Sequence, residues 1–198
     1  MKRFILIVLL NLAITDAETV AAGENNMWKR FVPDHVKSQF AGNIGFMSFG
    51  AGYSFFDGKL QSDLFYGFVD HHQSWKDIHH ITQKNTYLPF TVSVNDELSW
   101  KPVTFGTHFC YKVGNNNYET WFFLPDRYPD KYYFPTAFHI LLTVGTHLIY
   151  KNPGMFKNTG VYMEAGTSAL YLRNWITQDY VKLKDIVSLD IGITQYFE

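Results

Sequence analysis

Asp70-His71-His72 and Asp77, His79 and His80 gather four imidazoles and two carboxylates within one short stretch of the chain. Neutral imidazole and carboxylate are donors for Zn²⁺ or Ni²⁺, so a weak, exposed metal site is one reading. The spacing matches no fixed metal motif, and histidine is also at home on a polar loop. A second set, His139 or His147 with Glu164 and Ser168, has the types needed for base, orienting acid and nucleophile. Such groups act only if they converge within hydrogen-bond distance. Neither histidine has a serine two residues on, since Ile140-Leu141 and Leu148-Ile149 follow them. A third set is spread along the chain: Asp63, Lys84, His108, Lys112, His139, His147, Glu164 and Asp190. Its ordinary reading is mutual neutralisation in an enclosed space, because an unpaired buried charge is costly.

What unites the third set is its place in alternating stretches. In Phe138 to Tyr150, one face reads Phe138, Ile140, Leu142, Val144, Thr146, Leu148, Tyr150. The other reads His139, Leu141, Thr143, Gly145, His147, Ile149. A period of two marks a strand. Thirteen residues exceed the usual soluble strand of about five or six and suit a tilted bilayer crossing with aromatic ends.

The same alternation predicts further strands. Met47, Phe49, Ala51, Tyr53 and Phe55 face out against Ser48, Gly50, Gly52 and Ser54, up to a turn at Asp57-Gly58. Lys59 to Asp70 places Leu60, Ser62, Leu64, Tyr66 and Phe68 out, with Gln61, Asp63, Phe65, Gly67 and Val69 in. Ile78 to Leu88 places Ile81 out and His80, Thr82 and Lys84 in, but Gln83 and Asn85 fall on the oily side. Val103 to Val113 places Val103, Phe105, Thr107, Phe109 and Tyr111 out, with Thr104, Gly106, His108, Cys110 and Lys112 in. Gly160 to Leu172 places Val161, Met163, Ala165, Thr167, Ala169 and Tyr171 out, with Tyr162, Glu164, Gly166 and Ser168 in. The last strand sets Val187, Leu189, Ile191, Ile193 and Phe197 against Ser188, Asp190, Gly192 and Thr194. Seven strands follow Phe46, and Val36 to Asn43 is taken as an eighth so that the ring closes with both ends on one side. Pro89 to Lys101 reads as a connection, long for its side of the barrel.

The chain opens with Lys2-Arg3 and an apolar run from Phe4 to Leu10, then small residues around Ala17 and Ala21-Ala22. That is the pattern of a secretory signal peptide over 1–22, cut after Ala17 or Ala22. No cysteine lies near it, which excludes a lipoprotein anchor. The β-barrel domain is then 23–198. A cut after Ala17 removes two of 17 basic and one of 18 acidic residues, leaving a balance near −2. This does not suggest a nucleic-acid partner. Aromatics are 18% of the chain, yet the mean hydropathy is only −0.14. A barrel that shows its surroundings every second residue reconciles the two. The lone Cys110 can form no disulfide within the chain and reads as a small packed residue. No cofactor motif is present.

A carrier barrel of the lipocalin type has its oily face inside, whereas a membrane barrel has it outside. Here the polar faces carry many Gly, Ser and Thr with charges of both signs, which suits an enclosed lumen. The expected fold is therefore an all-β, single antiparallel up-and-down transmembrane β-barrel of about eight strands. Ser48-Phe49-Gly50-Ala51-Gly52-Tyr53 and Leu189-Asp190-Ile191-Gly192-Ile193-Thr194-Gln195-Tyr196-Phe197 resemble the small Gram-negative outer-membrane barrels, the OmpA/OmpX-like or lipid A deacylase-like group, over roughly Lys37 to Phe197. That resemblance implies a bacterial outer-membrane location, contact with outer-membrane lipid, and handling by the barrel-assembly machinery through a terminal aromatic. Here Glu198 displaces that aromatic by one residue. The expected function is structural or surface-recognition, as a monomer with a packed lumen and no open pore. A lipid-modifying enzyme and a soluble lipocalin-like carrier are the alternatives; the deacylase His-x-Ser pair is absent.

Overall fold

The computed structural model describes residues 32–42, 44–69, 78–113, 138–151, 158–178 and 182–197. The strands are β1 His35–Ala41, β2 Met47–Phe55, β3 Leu60–Val69, β4 Ile78–Tyr87, β5 Val92–Ser93, β6 Leu98–Val113, β7 Phe138–Tyr150, β8 Thr159–Ser168 and β9 Ser188–Tyr196. All neighbours pair antiparallel. β1 pairs with β9 and β4 with β6, so eight strands close into a barrel and β5 only extends β6. Among the described residues the structure is all-β apart from one helix, α1 Ala169–Thr177, and a short 3-10 turn Leu183–Asp185.

The barrel has two unlike rims. The terminal rim carries Pro33, Phe197, the turn 56–59 and the segment 88–97. The loop rim carries Gly42, Ile44 to Phe46, the strand ends Val69, Ile78, Val113 and Phe138, and α1. Closure at the terminal rim is finished by Phe197 N–H donating to the Asp34 carbonyl at 2.8 Å and Tyr196 N–H to that of Asn158 at 3.0 Å.

Along most of each strand the alternation read from the sequence is the alternation observed. In β7 the outward Ile140, Leu142, Val144, Leu148 and Tyr150 are exposed, while Leu141, Thr143, His147 and Ile149 are buried. Gln83 and Asn85, the polar pair on the outward side of β4, are joined through one hydroxyl. Gln83 Nε2 donates to Ser62 Oγ at 3.3 Å, and that hydroxyl donates to Asn85 Oδ1 at 2.9 Å.

Four expectations are corrected. The first strand is His35–Ala41 rather than Val36 to Asn43, because Ala41 and Gly42 take left-handed φ angles of 62° and 85° that end the ladder. The stretch Pro89 to Lys101 is no plain turn. Val92 and Ser93 pair with Trp100 and Ser99, and β6 runs through to Leu98 with a register shift between Lys101 and Thr104 around Pro102. Phe55 is covered rather than outward, at the point where β2 enters the turn and Leu88 N–H donates to the Lys59 carbonyl at 2.7 Å. Strand β8 stops at Ser168, not Leu172. Ser168 Oγ accepts the Tyr171 N–H at 3.2 Å, an N-cap on good helix formers, so Ala169 and Tyr171 belong to α1.

Candidate functional site: the charged lumen

Inside the barrel, Lys37, Lys84 and Lys101 are buried together with Asp63, Glu164 and Asp190. Three positive and three negative side chains sit where only polar partners can make burial tolerable. The partners come from across the lumen rather than from the adjacent strand. Asp63, Lys84 and His108 are consecutive cross-strand neighbours on β3, β4 and β6. Yet Asp63 takes Lys37 Nζ at 2.7 Å and His35 Nε2 at 2.6 Å, both from β1. Lys84 Nζ instead reaches Glu164 Oε2 on β8 at 2.8 Å, an ion pair whose angles fall short of a hydrogen bond.

Amides and phenols tie these pairs together. Lys37 Nζ donates to Gln61 Oε1 at 2.9 Å, and Gln61 Nε2 donates to the Tyr196 hydroxyl at 2.9 Å. Gln39 Oε1 accepts from both Lys84 Nζ and the Tyr162 hydroxyl, each at 3.0 Å. Lys84 Nζ also stands 4.6 Å from the Tyr162 ring centre, within cation–π range. Two of the rings rest on glycines directly opposite them. Phe65 lies over Gly50 and Tyr162 over Gly192, so closely that a Cβ on either glycine would strike the ring.

Toward the loop rim the lumen turns apolar. Ile44, Phe65, Cys110 and Leu141 form one buried cluster. Ile44 enters from the β1–β2 turn, and its carbonyl presses on Gly67, where no side chain fits. Beyond it His80 Nδ1 lies 3.2 Å from Cys110 Sγ. His139 is the cross-strand partner of Cys110, and Lys112 that of His80. His139 and Lys112 are only half-buried, unlike Asp63, Lys84, His108, His147, Glu164 and Asp190.

The hydrolase set does not converge. Ser168 Oγ is held by the helix cap and is paired across the ladder with Leu141. His147 lies six residues farther down β7, roughly 20 Å away at about 3.3 Å per residue. Its ring packs against Tyr162 and Tyr196. The histidine near Glu164 is His108, at 3.9 Å, and the hydroxyl beside it is Thr143 Oγ1, at 3.3 Å from His108 Nε2. Of the loop cluster, Asp70, His71, His72 and Asp77 lie outside the described residues. His79 faces outward with its ring on Tyr66, whereas His80 faces in. Among the described residues no three His, Cys, Asp or Glu side chains form a metal cage.

Sequence reading passed over His35, Lys37, Gln39, Lys101 and Tyr196, all of which point inward, and placed Gln61 inward without giving it a part in the network. For the first three the signal was present: His35, Lys37 and Gln39 alternate, but the stretch is short and its outward face carries Ser38. Lys101 was hidden by the register shift at Pro102. Comparison with known protein families, curated proteins and solved structures gives no match.

Proposed function

We propose that this chain is a monomeric outer-membrane β-barrel of structural or surface-recognition type, with a plugged lumen and recognition carried by its loop rim. The observation that supports it is an inside-out distribution of polarity. Leu64, Val144, Met163, Leu189, Ile191 and Ile193 are each at least half exposed, while three lysines and three carboxylates are buried. In water that arrangement forfeits about 25 cal/mol for every Å² of apolar surface left wet. In a bilayer the same surface meets acyl chains.

Exposed aromatics mark the strand ends. Tyr87, Trp100, Tyr150 and Phe197 stand toward the terminal rim, Phe40 and Phe68 toward the loop rim. Aromatic rings favour the two interfaces of a membrane barrel. Among the described residues no helix is long and apolar enough to cross a membrane. Eight strands leave an interior about wide enough for side chains, and the ionic network and the Ile44–Leu141 cluster occupy it. A lipocalin-like carrier would need the opposite facing.

The test is fractionation together with gel mobility. Recovery in the outer membrane and slower migration after boiling are the expected results. A detergent-free, water-soluble monomer would sink this reading and favour the soluble carrier.

A further inference from the structure

The helix at the loop rim has no buried residue, although it carries Tyr171, Trp175 and Ile176. Ile176 is 70% exposed, and Leu183 in the following turn 55%. Arg173 on the helix and Lys182 and Lys184 at that turn are exposed as well. Among the described residues of this ledge the one carboxylate is Asp185, and it accepts the backbone N–H of Lys182 at 3.3 Å. The ledge is therefore both oily and basic. An element of that composition suits the plane where acyl chains meet anionic headgroups, not bulk water.

Directly below it the outer wall is grooved. Two rows of outward residues, Thr107–Leu142–Thr167 and Phe105–Val144–Ala165, run across β6, β7 and β8. Their short members leave a groove of about 520 Å³, closed at the top by Leu172 of α1 and Val187. Apolar groove and basic ledge thus share an edge.

We propose that this edge is a lipid-binding site: the phosphate-bearing headgroup of an anionic lipid sits on the Arg173–Lys184 ledge, with one acyl chain in the groove beneath. The inference rests on the membrane reading above. The basic side chains supply the charge complementarity, and the groove supplies the shape. Trp175, exposed on the helix that also carries Leu172, serves as the reporter.

The test uses the full chain refolded into vesicles holding equal amounts of phosphatidylglycerol and phosphatidylcholine, with bromine on the acyl chains of one lipid at a time. The Trp175 signal is the difference between wild type and Trp175→Phe. Brominated phosphatidylglycerol should quench it about threefold more than brominated phosphatidylcholine, given the attraction of each basic residue for anionic lipid. Lys182→Gln with Lys184→Gln should abolish the preference while leaving heat-modifiable migration intact. Ala165→Phe, which fills the groove, should weaken quenching by the anionic lipid. Equal quenching by both lipids in a barrel that still shows heat-modifiable migration overturns the site and spares the membrane reading. Absence of insertion, with no quenching by either lipid, overturns both.

Discussion

Glu164 and Asp190 face each other directly across the β8–β9 ladder inside the barrel, and their situations differ. Glu164 has Lys84 at 2.8 Å, whereas Asp190 Oδ1 has no hydrogen-bond partner. Two carboxylates at one cross-strand position repel each other, and a single lysine offsets only one. Glu164→Leu should therefore cost about 3 to 5 kcal/mol, because it strands Lys84. Asp190→Asn should cost little or stabilise. Urea unfolding of the barrel in vesicles measures both; an Asp190→Asn barrel weakened as much as Glu164→Leu would refute the asymmetry.

Lys37 and Asp63 should behave as one unit. Lys37→Met alone removes the ammonium from the Asp63 carboxylate, leaves it His35 at 2.6 Å, and should cost about 3 to 5 kcal/mol. Adding Asp63→Leu should recover part of that loss, giving a coupling of about 1 to 3 kcal/mol in a double-mutant cycle. Strict additivity would mean that the pair at 2.7 Å contributes no specific energy.

An arginine on the outer wall should report depth. Val144→Arg, mid-strand on β7, should cost about 2 to 4 kcal/mol, and Tyr150→Arg at the strand end about 0 to 1 kcal/mol. The comparison is made by refolding titration in vesicles. A flat profile between the two positions would contradict a bilayer-embedded wall.

Gly67→Ala should dislodge the turn that carries Ile44. The new Cβ would meet the Ile44 carbonyl, which is backbone and cannot swing aside. The readout is Cys110, 1% exposed in the same apolar cluster. Its reaction with a membrane-impermeant maleimide, slow in wild type, should accelerate at least about tenfold, because thiol reactivity follows access. An unchanged rate would show that the cluster does not depend on the turn.

Much of the barrel was legible in the sequence because the period of two survives wherever one face is sealed. Val144 and Leu189 out, Lys84 and Glu164 in, follow from counting alone. Which inward groups meet was not legible. Asp63 and Lys84 are neighbours in register yet bind other partners, since side chains long enough to cross the lumen choose by barrel stagger rather than by adjacency. Residues past Ser168 misled for a different reason. Ala169 and Tyr171 continue the alternation, but Ser168 followed by apolar residues at helical spacing (Leu172, Trp175, Ile176) is also a helix start. The cap decided it.

Phe65 on Gly50 and Tyr162 on Gly192 have a consequence for how this chain can diverge. Each ring occupies the volume that its glycine vacates, so neither member can change alone without a collision or a void. Substitution at such places must come in pairs, with a smaller side chain replacing the ring as the glycine gains a methyl. Drift at these two places in the lumen is thus slowed to the rate of double changes, while the exposed side chains of the outer wall meet no such opposing ring. Descendants of this chain should therefore diverge first on the outside, their lumens preserving the ancestry longest.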